Sequence, residues 1–154
     1  MRWNEALEEF ERELALEDAG HVYARECGAN TWYACGALRL RRGLRDQAAA
    51  AFHQALKRVP SHPMATVGLA AVSSALEAQT IRQDAKTVDA AVVSAAVLAL
   101  EGKHLEAAGV CGEALAHADP GSAGWLLAVE PLLYPTAHRD TWATTLAILR
   151  DRAA

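Results

Sequence analysis

From Trp32 onward, apolar and small positions fall at Trp32, Cys35, Gly36 and Leu40, a spacing of three and four that lines one face of a helix. Gly43 predicts the end of that helix, because glycine tolerates the left-handed backbone on which helices commonly stop. Leu44-Arg45-Asp46 then opens a second helix in the reverse direction, with Leu44, Ala48, Phe52, Ala55, Leu56 and Val59 facing inward. Pro60 has no amide hydrogen and disfavours helical geometry in the residue before it, so this helix is predicted to end near Val59. Gly36, Ala48 and Ala55 carry no bulk, which lets neighbouring helices approach closely while Trp32 and Phe52 fill the space alongside.

The stretch from Ala29 to His62 resembles the tetratricopeptide repeat family, whose period is 34 residues. Trp32, Gly36, Ala48, Phe52, Ala55 and Pro60 stand at the signature positions, with Tyr33 and Gly43 also in register. Cys35 departs from the usual leucine, and Arg39 from the usual large apolar residue. One constant forward offset carries Gly43, Ala48, Ala55 and Leu56 onto Gly102, Ala107, Ala114 and Leu115, with Cys111 in the place of Phe52. A constant backward offset carries Ala48, Phe52 and Leu56 onto Ala6, Phe10 and Leu14, with Trp3 as the opening aromatic. Neither offset is a multiple of the family period, so the spacing is irregular. The resemblance implies an all-α fold of antiparallel hairpins stacked as a short right-handed superhelix, about seven or eight helices in all. In one domain over 1–154 it places a half-repeat plus extension at 1–28, the best repeat at 29–62, a degenerate repeat at 63–87, a hairpin at 88–121 and a capping segment at 122–154.

Outside the best repeat, Trp3, Ala6, Leu7, Phe10 and Leu14 predict an amphipathic helix over roughly 3–17. It reads as the second half of a repeat without its first half, so one apolar side awaits a cover, either from a longer chain or from a second molecule. The Trp32 helix is extended back toward Ala19 through Val22, Tyr23 and Cys27, unless Gly28 and Asn30 break it into a separate short helix at 20–27. After a turn at Ser61-His62-Pro63, Met64, Val67, Leu69, Ala70, Val72, Ala75 and Leu76 predict one helix. A single long helix from Asp84 to Leu100 is favoured over a truncated one across the polar stretch 79–87. The hairpin Val88–Ala118 follows, closed by Asp119-Pro120-Gly121-Ser122. Pro131 and Pro135 bar a regular long helix in the apolar segment Gly124–Leu133, which includes Trp125. A last helix is expected from Asp140, as amino-terminal cap, to Arg152, with Trp142, Leu146 and Leu149 inward and Arg139, Arg150 and Arg152 wet.

Alanine dominates the apolar half of the composition and β-branched residues are sparse, which favours close-packed helices and predicts no strands. The formal net charge of −4 argues against a nucleic-acid binder. Glu5, Glu8, Glu9, Glu11, Glu13, Glu17 and Asp18 make the beginning acidic, whereas Arg39, Arg41, Arg42 and Arg45, with Lys57 and Arg58 later, form a basic cluster. That cluster either complements helix carboxyl ends or meets an acidic partner, including the first helix of another copy. Three cysteines, Cys27, Cys35 and Cys111, cannot all pair within one chain, and no secretory signal or long apolar run occurs, so a reducing cytoplasm without membrane association is the expectation.

No phosphate loop, paired-histidine zinc motif, nucleophile elbow or dinucleotide fingerprint is present. His104, Cys111, His117 and Asp119 allow a metal-dependent enzyme to be imagined, but the helix-end and inward positions favour ordinary packing, and neither metal nor cofactor is expected. The resemblance implies instead a non-catalytic scaffold that takes a protein, a peptide or an amphipathic helix in a groove. Carried over position by position, Asn30, Tyr33, Ala34, Ala37 and Arg41 line it in the best repeat. Packing of Tyr33 against a neighbouring helix and simple solvation of Arg41 are the competing reading. Tyr33 and Ala37 stand where the carboxylate-gripping members need lysine and asparagine, so that activity is not carried over. Val67, Ala71, Val92, Val93 and Ala96 make the later groove apolar. The alternative is a homodimer through Trp3, Leu7, Phe10 and Leu14, with the groove filled by the chain's own carboxyl-terminal segment.

Overall fold

In a computed structural model the described residues are 3–15, 24–81, 86–119 and 126–153, and all of their regular structure is helical, with no strand among them. Among the described residues eight α-helices follow in order: α1 (Trp3–Ala15), α2 (Ala24–Arg41), α3 (Arg45–Arg58), α4 (Pro63–Ser73), α5 (Ala75–Gln79), α6 (Val88–Leu100), α7 (His104–His117) and α8 (Arg139–Ala153). The chain divides into two compact units, Met1–Ser74 and Ala75–Ala154.

In the first unit α2 is the central helix, packed by α1, α3 and α4. It ends as the glycine predicts. Gly43 adopts φ +75°, its N–H bonds the Leu40 carbonyl at 2.9 Å, and the Leu44 N–H reaches back to Arg39 at 3.0 Å. This pair of bonds satisfies carbonyls that the helix end leaves open. The returning α3 buries Ala48, Ala51, Phe52 and Ala55 and stops at Val59, which is extended before Pro60. Phe52 is fully buried. Its ring occupies the space where a Cβ on Gly36 of α2 would stand, 2.6 Å from that position, and lies at least as close to the corresponding position on Gly68 of α4. Two glycines on different helices thus form the seat of one aromatic ring, and α2, α3 and α4 meet there. Sequence periodicity pointed to Gly36; Gly68 lies outside the motif.

In the second unit the α6–α7 hairpin repeats the geometry of the first. The end of its first helix and both limits of its second are those of α2 and α3 moved by the constant offset that relates Gly43 to Gly102, while α6 starts later than α2 does: Arg41 maps to Leu100, Arg45 to His104 and Arg58 to His117. Gly102 has φ +81°, its N–H bonds Ala99 at 3.0 Å, and the Lys103 N–H reaches Leu98 at 2.9 Å. The interior is repacked. That offset carries Gly36, Phe52 and Gly68 onto Ala95, Cys111 and Leu127, all buried; no large ring stands in the place of Phe52, and Leu127 lies in a 3-10 turn rather than a helix. Trp142 on α8, Leu98, Leu115 and Leu133 are fully buried in this unit, and α8 is held to α7 by the Thr145 hydroxyl, which donates to the Ala108 carbonyl at 2.8 Å.

One expected boundary is kept and several others move, each for a local reason. Gly28 and Asn30 do not interrupt α2, which is continuous from Ala24; Val22 and Tyr23 lie outside the described residues. The helix expected through Leu76 breaks at Ser74, whose extended backbone (φ −163°, ψ 153°) separates α4 from α5 and divides the segment 63–87 between the units. The long helix from Asp84 is replaced by one that begins at Val88, because the Thr87 hydroxyl accepts the Ala90 N–H at 3.2 Å and caps it there. Asp84 itself, together with Pro120, Gly121, Ser122, Gly124 and Trp125, is outside the described residues. Asp140 is not a cap but lies in the first turn of α8. Around Pro131 and Pro135 the described chain keeps only short 3-10 turns, Leu127–Val129 before the first proline and Pro135–Ala137 from the second.

Phe52→Ala is expected to cost about 3–5 kcal/mol, the range for deleting a large buried aromatic, and Gly68→Ala about 1–3 kcal/mol because the added methyl would overlap the ring. Urea melts of both variants check this. A Gly68→Ala protein as stable as wild type would show that the ring is not seated there.

Candidate interaction surface

Burial divides the candidate groove residues sharply. Asn30 and Arg41 are exposed and Ala34, Ala71 and Val92 half-buried, whereas Tyr33, Ala37, Val67, Val93 and Ala96 are core residues. These five are removed from the surface by packing. α2 has neighbours on several sides, and α6, apolar nearly all round, has every residue from Val93 to Ala99 buried. Tyr33 is 5% exposed, with its ring 6.3 Å from that of Phe52 and 5.2 Å from that of His62. What remains on α2 is a stripe of Asn30, Ala34 and Arg41, residues four and seven apart and therefore on one face.

On α1, Leu7, Phe10 and Leu14 are half-buried against α2, and the side chain of Trp3 lies outside the described ones. The opposite side presents Glu5, Glu8, Glu9, Glu11 and Glu13, with Arg12 paired to Glu9 at 2.5 Å. The expected basic cluster is partly spent inside the unit. The Arg45 guanidinium donates to the Ala71 carbonyl at 3.2 Å and to that of Val72, closing the carboxyl end of α4. Arg58 donates to the Gln54 carbonyl and side chain and lies 5.7 Å over the Trp32 ring, a cation–π contact. Arg42 reaches Asn4 at 3.4 Å.

Sequence reasoning missed three features. Leu105, Leu126 and Val129 in the second unit are 75%, 70% and 67% exposed. The Val129 N–H bonds the Leu126 carbonyl at 3.0 Å in a 3-10 turn, where residues three apart eclipse, so these two apolar side chains leave on one side. His104 and His138, far apart in sequence, stack with ring centroids 3.6 Å apart; His104 Nδ1 is buried without a hydrogen-bond partner, and burial, then the neighbouring His138, lowers its affinity for a proton. His62 is buried as the cap of α4. Only the last had a local signal, its place just before Pro63.

The imagined catalytic constellation is not brought together. His104 and His117 occupy opposite ends of α7, about 20 Å apart along the axis at the usual helical rise. His117 bonds the Glu113 carbonyl in its own last turn. Among the described residues no group of three or more His, Cys, Asp or Glu side chains could hold a metal ion, and no helix is long and apolar enough to cross a membrane.

No family model matches the chain, and no curated protein or solved structure matches it.

The thiols differ in chemistry. Burial pushes Cys35 up to about 11, with Arg39 opposing and Glu11 and Glu13 adding, and burial followed by Glu130 pushes Cys111 up to about 12. Cys27 is exposed. Thiol titration of the native protein at mildly alkaline pH should therefore find one fast-reacting group per chain, with the other two released only by denaturant. Three equal rates would contradict the buried placement.

Proposed function

We infer that the protein is a non-catalytic helical-repeat module that binds a protein or peptide, akin in plan to the tetratricopeptide repeat family, in a reducing cytoplasmic setting. The observation that carries this reading is the recurrence of one hairpin: two second helices of identical limits, each entered through a left-handed glycine, with the interior rather than the turn altered between them. Duplicated hairpins are how repeat proteins build binding surfaces. The stripe Asn30–Ala34–Arg41 offers a peptide an exposed face with a flat small residue, a guanidinium and the amide nitrogen of Asn30, whose oxygen is held by His62, and the Leu126–Val129 ridge offers an apolar contact to a helix.

A second reading, self-association, is favoured by α1, where Leu7, Phe10 and Leu14 remain half-exposed beside an acidic row. Light scattering on wild type and Phe10→Asp addresses it: a dimer that the substitution dissolves supports it, and a monomeric wild type removes it.

The main reading is tested by affinity capture from a native lysate with wild type, Ala34→Glu/Arg41→Glu and Leu126→Asp/Val129→Asp, followed by titration of the captured protein. Of the four substituted residues Arg41, Leu126 and Val129 are exposed and Ala34 is half-buried, so the folds should persist. One of the two pairs is expected to weaken binding by about tenfold or more, the equivalent of about 1.4 kcal/mol. A captured partner that both variants bind as tightly as wild type would contradict this assignment of the surface.

A further inference from the structure

His62 stands between α3 and α4, and its contacts fix its protonation state. As the amino-terminal cap of α4 it accepts the Ala65 N–H on Nδ1 at 3.2 Å. A ring nitrogen that accepts carries no hydrogen, so the proton of the neutral imidazole is on Nε2, where it donates to Asn30 Oδ1 at 3.0 Å. One uncharged ring thereby joins the first turn of α4 to α2, in contact with Tyr33 and only 9% exposed. Immediately after it α4 buries Met64, Ala65 and Val67 and sets Gly68 on Phe52.

A second proton, on Nδ1, would turn the acceptor into a donor facing the Ala65 N–H and leave an imidazolium in a buried position. The surroundings offer it little compensation. α4 has no titratable side chain; α3 ends in Lys57 and Arg58, both cationic; α2 presents Tyr33, with Arg25 bonded to the Arg58 carbonyl and Glu26 exposed a turn before Asn30.

We propose that His62 is an acid-released latch: uncharged, it pins α4 to the α2–α3 hairpin, and protonation frees α4 and uncovers the apolar face around Phe52. Burial, opposed by the residue's own backbone bond, lowers its affinity for a proton below the ordinary value of 6.5, in keeping with the geometry. With the folded value below the unfolded one, the latch is fully effective above 6.5, weakens as pH falls below it, and is fully lost once the folded value is passed.

The test is hydrogen exchange of the full chain, residue by residue, from pH 7.5 down to 5, together with the imidazole titration of His62 followed by NMR. After correction for intrinsic rates, protection of the α4 amides should fall by up to about tenfold per pH unit within the titration window, the limit for one proton. His62→Asn, which can still cap a helix but does not titrate, should abolish that local dependence. If this variant does not fold, the wild type still decides: His62 must be the Nε2–H tautomer at neutral pH and titrate below 6.5, with α4 amide shifts following the same curve. A His62 that titrates at or above 6.5, α4 protection independent of pH, or an unchanged dependence in His62→Asn would overturn the proposal.

Discussion

The first unit depends on one contact: the Phe52 ring lying where side chains of Gly36 and Gly68 would otherwise be. A ring in that position can be buried only if both facing helices give up their Cβ atoms, and the glycines' lower helix propensity, roughly 1 kcal/mol each relative to alanine, is offset by full burial of a large aromatic. The consequence is geometric as well as energetic. Because Gly36 is on α2 and Gly68 on α4, the ring on α3 fixes the approach of both neighbours at once, and through α4 it brings His62 and Asn30 within bonding distance.

The second unit solves the same problem with the volume redistributed. Ala95 and Cys111 replace glycine and phenylalanine, and a leucine, Leu127, stands at the offset position of Gly68. The left-handed glycine turn is kept while the packing behind it is exchanged, as expected when the turn is constrained by backbone sterics and the core only by total volume. Polar bonds then do what the aromatic ring does in the first unit: the Thr145 hydroxyl on Ala108 holds α8 against α7, where Gly112 lets the two helices approach.

The hairpin at Gly43 was legible because all of its determinants are local: a three-and-four spacing, a glycine that can adopt positive φ, and a proline that ends the return helix. The all-helical class was legible from alanine content for a related reason, since propensity sums over many residues. Placement of the groove was not. Whether Tyr33, Ala37, Val67, Val93 and Ala96 face a ligand or a neighbouring helix depends on what packs over them, and periodicity identifies a face without identifying its cover. The break at Ser74 carries no signal in the pattern, because apolar positions continue through it, whereas Thr87 is a residue type that caps helices. The His104–His138 stack joins residues that no local pattern connects.

The charges follow the packing. Arg45, expected on a basic corner, is committed to the carbonyls closing α4, and Arg58 to Gln54 and the Trp32 ring, so their positive charge stays while their donors are used within the unit. The meeting of α2, α3 and α4 turns on the position of one ring, and that position can be measured directly. In a solution NMR spectrum, Phe52 ring protons should show NOEs to the Hα protons of both Gly36 and Gly68, with those Hα signals displaced by the ring current. Unshifted glycine signals and no NOE to Gly68 would contradict the account.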